Sequence, residues 1–133
     1  MALDYAKRKV AFGRPIAALQ HAQPMLAEMA LNLELSTLLR DKTARMIEAS
    51  AATNAPIPLK EASMVKWFCP ESAERAARSA IQIMGGAGYM EDVPLSRLYR
   101  DIRVMTIADG ATEIQKVIIA RELGLIERAA FAF

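Results

Sequence analysis

The run Gln82-Ile83-Met84-Gly85-Gly86-Ala87-Gly88-Tyr89 is the first place in this chain where residue types and spacing suggest chemistry. Glycines remove the Cβ and let a ligand or a second chain come close to the backbone. They suit the C-terminal cap of a helix equally well. A dinucleotide-type glycine loop would follow a strand; a helical pattern precedes this one, so that reading fails on context. Asp109-Gly110 is the second place, set between the apolar Val104–Ala108 and a helical run. It reads either as a turn and N-cap, with the carboxylate accepting from the first helical amides, or as a general base presented at a helix start. Arg121 falls seven after Ile114 and four after Val117, on an apolar stripe, where a carboxylate or phosphate partner is expected for it. Arg97, Arg100 and Arg103 recur every third residue, the spacing of a solvated helix face. No metal site is expected, because His21 and Cys69 are the only soft ligands and stand far apart. His21 reads as a surface residue at a helix start. Cys69 reads as a core residue, with no histidine placed to activate it.

These residues must be positioned by helices. Ala, Leu, Met, Arg, Glu and Ile dominate, and alternating β-branched runs are nearly absent. A short helix is expected over Ala2 to Ala11, stopped by Gly13 and Pro15. A long one runs from about Gln20 to Ala51, with Pro24 near its start. It carries two partly apolar stripes: Leu26, Met29, Leu33 and Thr37, then Leu31, Leu35, Leu38 and Lys42. Burial on more than one side follows, as in a bundle's central helix or an oligomer core. Asn54 and two prolines mark Ala52 to Pro58 as a loop. Leu59 to Met84 is helical again, and Pro70 should kink or restart it near Cys69. Pro94 opens a short helix through about Arg103, and the last helix runs from Ala111 or Thr112 to Gly124. The expectation is an all-α, four-helix up-and-down bundle in one domain, residues 1–133.

Composition narrows the classes. With 53% hydrophobic and 24% charged residues in 133, the chain can bury one core and is not intrinsically disordered. The formal charge is +2 with no block of five like charges, which speaks against a nucleic-acid arm or an electrostatic membrane binder. No apolar run approaches the roughly 20 residues of a membrane span. The start, MALDYAKRK, is not a signal peptide, and a lone cysteine suits a reducing compartment.

Four segments, in order, resemble the C-terminal helical domain of the acyl-CoA dehydrogenases over essentially the whole chain. They are YAKRKVAFGRPI (Tyr5 to Ile16), LQHAQPMLAEMA (Leu19 to Ala30), AIQIMGGAGYMEDVPLSRLYRDIRV (Ala80 to Val104) and IADGATEIQKVIIARELG (Ile107 to Gly124). The resemblance implies FAD as cofactor and an acyl-CoA thioester as substrate. A carboxylate takes the α-proton while the β-hydrogen leaves as hydride to the flavin, giving the enoyl-CoA. It also implies a homodimer or homotetramer, an N-terminal helical domain and a middle β-domain outside this sequence, and a cytoplasmic location (mitochondrial matrix in a eukaryote). Met1 aligns within the family's first bundle helix, so a longer natural chain is expected, and the 133 residues alone are not expected to catalyse the reaction.

Residue by residue, the flavin motif R-x-x-F-G falls on Lys9, Val10, Ala11, Phe12 and Gly13, with lysine in the arginine's place. Lysine supplies charge to a phosphate but not the bidentate fork. Lys9, Ala11, Leu19 and Gln20 are thereby implied cofactor contacts. Gln82 and Gly86 match residues that reach the adenine side of a neighbouring subunit's FAD. Ala111 and Glu113 match flavin-touching positions, and Gly110 and Arg121 positions near substrate. The family's catalytic glutamate falls on Asp109, one methylene shorter, and some relatives carry A-D-G here. Other members place their glutamate on a different helix. A non-catalytic bundle for oligomer assembly, with a vestigial nucleotide site, is the rival reading; Lys9 and Asp109 favour it, while Gln82, the glycines and Arg121 favour the enzyme.

Overall fold

The long helix expected on both sides of Leu31 carries apolar residues on more than one side, but the helix after Pro58 covers one side only and leaves Leu31, Leu33, Leu35 and Leu38 exposed. The computed structural model describes residues 1–126, so the end of the expected 1–133 domain lies outside the described residues. Its elements are α1 (Ala2–Arg8), the strands β1 (Val10–Ala11) and β2 (Arg14–Pro15), and a 3₁₀ turn (Ile16–Ala18). These are followed by α2 (Ala22–Thr53), α3 (Leu59–Met84), α4 (Gly86–Tyr89), α5 (Leu95–Met105) and α6 (Thr112–Glu122). The fold is the expected all-α up-and-down bundle. α3 is its hub and packs against α1, α2, α5 and α6. Small buried residues on α3 (Ser63, Ser72, Ala77 and Ala80) let these neighbours approach closely. Ala2, Ala80, Met84 and Leu95 form the buried centre, with Tyr5, Met29, Ile81 and Val93 packed against it.

Three local expectations are corrected. The helix expected over Ala2 to Ala11 ends at Arg8, because Val10 and Ala11 pair with Pro15 and Arg14 in an antiparallel hairpin. Phe12 (φ 54°) and Gly13 (φ 78°) form its turn, both left-handed as the tightest hairpin turns require. Pro70 does not restart α3, which runs unbroken through it. Packing on several sides sustains the helix where propensity alone would break it. Cys69 is half-buried rather than core, its Sγ 3.8 Å from the Ser36 carbonyl oxygen.

Helix ends follow the expected punctuation. Gly85 leaves α3 at φ 58° and ψ −140°, a conformation open to glycine, and its N–H donates to the Ile81 carbonyl at 2.8 Å. At the end of α6 the Gly124 N–H bonds the Arg121 carbonyl, and the Leu125 N–H bonds that of Ala120, both at 3.0 Å. This is the paired 5→2 and 6→1 closure of a Schellman motif.

Gly88 is required for space. A Cβ there would stand 2.9 Å from the Met84 Cβ and 3.1 Å from the Ile81 Cα. Gly88→Ala is therefore expected to cost about 1–3 kcal/mol by forcing the α3–α4 corner apart. A thermal melt followed by circular dichroism reads the loss, and an unchanged midpoint would refute the packing at this corner.

Candidate functional site

The turn that carries Asp109 is tied at two points. At its neck, the Thr112 N–H donates to the Thr106 carbonyl oxygen at 3.1 Å, closing residues 106–112 into a loop between α5 and α6. Near its tip, the Gln115 side chain reaches back from the first turn of α6 and its Nε2 donates to the Gly110 carbonyl oxygen at 3.0 Å. Gln115 is buried. Asp109 (φ 54°) and Gly110 (φ 89°) are both left-handed, so the chain reverses there and leaves the Asp109 carboxylate exposed. A left-handed non-glycine residue costs of order 1 kcal/mol and persists only when the surroundings hold it. The two ties supply that hold.

The expectation that Asp109 caps the last helix is corrected. Ala111 is the N-cap of α6 and makes no side-chain cap, which leaves the start of the helix open. Thr112 is buried there, and its Oγ1 has no hydrogen-bond partner. A polar network anchors the loop to the hub: Arg103 Nη1 contacts Glu74 Oε2 at 3.1 Å and Thr106 Oγ1 at 3.2 Å, while Thr106 Oγ1 donates to the Arg103 carbonyl at 3.0 Å. α3, α5, the loop and α6 are thus held together around the turn.

A cavity of about 480 Å³ opens beside this turn, with Ala111, Thr112 and Glu113 on one side and Arg75, Arg78 and Arg103 opposite. A second, of about 490 Å³, holds Gln82 with Tyr89, Ser96 and Arg100. Arg78 and Tyr99 line both, so the Gln82 and Ala111–Glu113 positions flank one continuous α3–α5 face. Asp109 stands at the edge of the first cavity, not in its lining.

The other candidates are not gathered at that face. Lys9 is exposed and Ala11 half-buried in the hairpin; Leu19 is buried and Gln20 exposed just before α2. Gly86 is exposed where α4 begins, and a Cβ there would meet nothing within 4 Å. Arg121 lies nine residues along α6 from Thr112, about 13 Å at 1.5 Å per residue. It is partly exposed, and its Nε lies 3.6 Å from Glu122 Oε1 without a hydrogen bond. The partly buried Glu122 beside it gives an ion-pair contact only, and the buried Nε has no hydrogen-bond partner. Among the described residues no cluster of His, Cys, Asp or Glu could hold a metal, and no helix is long and apolar enough to cross a membrane.

Sequence reasoning passed over Gln115 and Thr112. The signal was present: Thr112-x-x-Gln115 has the spacing of a capping box. In the structure the glutamine bonds the Gly110 carbonyl.

Comparison with known proteins places the chain. The family model for the acyl-CoA dehydrogenase C-terminal domain matches residues 1–124. An acyl-CoA dehydrogenase of Bacillus subtilis (strain 168) is 45% identical over 123 residues, 92% of this chain and 31% of that protein. The human mitochondrial short-chain specific acyl-CoA dehydrogenase is 41% identical over 122 residues, 92% of this chain and 28% of that protein. The crystal structure of an acyl-CoA dehydrogenase from Geobacillus kaustophilus superposes with a TM-score of 0.81 at 38% identity, covering 92% of this chain and 31% of that one. The prolyl acyl carrier protein oxidase AnaB superposes with a TM-score of 0.86 at 33% identity, over 92% and 31% respectively. The chain belongs to the acyl-CoA dehydrogenase family and has the fold of its C-terminal helical domain. It spans about three tenths of the length of the relatives it matches.

Proposed function

We propose that this chain is the C-terminal domain of an FAD-dependent enzyme that oxidises an acyl-CoA thioester to the enoyl-CoA, working with an N-terminal helical domain and a middle β-domain. The observation that supports the reading is the doubly tied turn, which holds the exposed Asp109 between Ile107 and Ala111, two residues that line the first cavity. A base held on an over-determined turn keeps its direction without reorganising during the reaction. In this reading Asp109 accepts the α-proton, and Gly110 keeps the turn narrow enough for the thioester to approach.

The residues present fit a phosphate-bearing cofactor. Thr112 Oγ1 is buried and unpartnered at the uncapped start of α6, beside a cavity lined by Arg75, Arg78 and Arg103. Glu71 and Glu74 also line this cavity and pair with Arg75 and Arg103, so it is the open helical amides, the Thr112 hydroxyl and Arg78 that suit an anion. Ala111 and Glu113 would hold FAD on this side. Lys9, Ala11, Leu19 and Gln20 would contact it from the hairpin region, and Gln82 and Gly86 would meet the cofactor of a neighbouring subunit. Arg121, at the far end of α6, would stand toward substrate. When bound, FAD supplies the two-electron acceptor for the hydrogen leaving the β-carbon.

The test joins residues 1–124 to the upstream part of the Bacillus subtilis relative and titrates the product with short-, medium- and long-chain saturated acyl-CoA esters. A yellow hybrid whose flavin bleaches with at least one ester supports the reading. A folded, flavin-loaded hybrid that bleaches with none would leave the assembly-only reading in its place.

A further inference from the structure

We infer that Gln115 is a positioning residue for the Asp109 base, acting through the backbone of the Asp109–Gly110 turn. The inference rests on the proposed function above, since it assigns Asp109 the role given there. Its support is geometric. Gln115 is 7% exposed on an α6 whose first turn faces the hub, yet its Nε2 points to the loop and donates to the Gly110 carbonyl at 3.0 Å. A buried side-chain amide spent on a loop carbonyl fixes the Gly110–Ala111 peptide plane, and with it the ψ of Gly110 next to Asp109. The approach is close: a Cβ at 110 would stand 2.6 Å from Nε2 and would displace the Gln115 amide from the carbonyl it holds. Glycine at 110 thus serves both the left-handed turn and the glutamine that locks it.

The lock answers a specific need. Two consecutive residues at φ 54° and φ 89° can relax to more populated conformations unless something holds them. The Thr112–Thr106 bond holds the neck of the loop and leaves the tip free to rotate. Gln115 is the side chain that reaches the tip. Releasing it would let the carboxylate sample directions away from the substrate's α-carbon. A displacement of about 1 Å at a reacting group costs up to roughly 100-fold in rate.

Two measurements test the inference. In the 133-residue chain, Gln115→Met keeps the side-chain volume and removes the donor. Exchange of the Thr112 amide, which donates to the Thr106 carbonyl, should rise about 10-fold or more while α3 stays protected. Unchanged exchange at the loop would overturn the lock whatever the protein does. In the flavin-loaded hybrid, Gln115→Met should slow bleaching by about 10- to 100-fold at saturating acyl-CoA, with flavin content and half-saturating acyl-CoA kept within about twofold. A merely structural role would instead lower flavin content and rate together, and that result would overturn the positioning role. Asp109→Asn is run alongside. If Asp109→Asn stops bleaching while Gln115→Met leaves it at the parent rate, this inference fails and the proposed function stands. If Asp109→Asn bleaches at the parent rate, the proposed function fails first, and the positioning role falls with it.

Discussion

Replacing Asp109 by Asn in a flavin-loaded enzyme that contains this domain is expected to slow bleaching by acyl-CoA about 10²- to 10⁴-fold. The substitution keeps the shape of the side chain and its place on the turn, and replaces the carboxylate that receives the α-proton with a non-basic amide. Asparagine also tolerates a left-handed backbone, so φ 54° is retained without added strain. Flavin content, acyl-CoA affinity and melting midpoint should stay close to those of the parent. Stopped-flow absorbance of the oxidised flavin band measures the rate directly. Because the carboxylate is exposed at the edge of a cavity and not in its lining, the expectation discriminates sharply. A parent-like rate would place the base on another helix, as in the relatives that carry their glutamate elsewhere. Asp109→Glu offers the complementary result. The extra methylene restores the reach common in the family, so it should retain most of the rate or raise it.

Much of the fold is legible in the sequence because its punctuation is local. Gly85, Gly124 and Pro94 act through backbone geometry that needs no distant partner, and the ends of α3, α5 and α6 fall close to where these residues predict. The hairpin at Val10–Pro15 is not legible in that way. It requires Phe12 in a left-handed conformation, which no rule based on glycine would anticipate. Pro70 misleads for the opposite reason: its local penalty is real, but α3 sits at the centre of the bundle and packing outweighs it. The site divides along the same line. Asp109, Gln82 and Glu113 are proposed from motif, by resemblance alone. Gln115 is not, because its role depends on where the turn brings the Gly110 carbonyl, a relation between a helix and a loop that periodicity does not encode. Stripe logic holds in part for Arg121: seven-residue spacing from Ile114 points it inward, and its Nε is buried without a hydrogen-bond partner, with the Glu122 carboxylate 3.6 Å away.

The 133-residue chain alone is expected to be a folded helical homo-oligomer that purifies without flavin. The argument begins with the length of α2: 32 residues, about 48 Å at 1.5 Å per residue. Its companion α3, of 26 residues, covers one side, and α2 buries only Ala22 and Thr43. Leu31, Leu35 and Leu38, at spacings of four and three, form one stripe and are 59%, 42% and 56% exposed. A stripe of this kind on a long helix is what a second copy covers in a closed symmetric dimer. Removing a leucine from water contributes about 1.5–3 kcal/mol when burial is complete, so even half that for three residues on each of two chains is substantial. Leu31→Glu with Leu35→Glu should convert the oligomer to monomer, because each buried unpaired charge costs about 3 kcal/mol, roughly a hundredfold in dissociation constant. Light scattering on the parent and the double variant measures this, with circular dichroism showing that both remain helical. A parent that elutes as a monomer would refute the stripe as an interface. The flavin half rests on separate ground. Lys9, Ala11, Leu19 and Gln20 line neither of the two cavities that the Gln82 and Ala111–Glu113 positions flank. A cofactor spanning them needs walls supplied by the upstream domains. The purified chain should therefore show no absorbance near 450 nm (roughly where oxidised flavins absorb), and a stoichiometric yellow protein would show that the bundle alone completes the site.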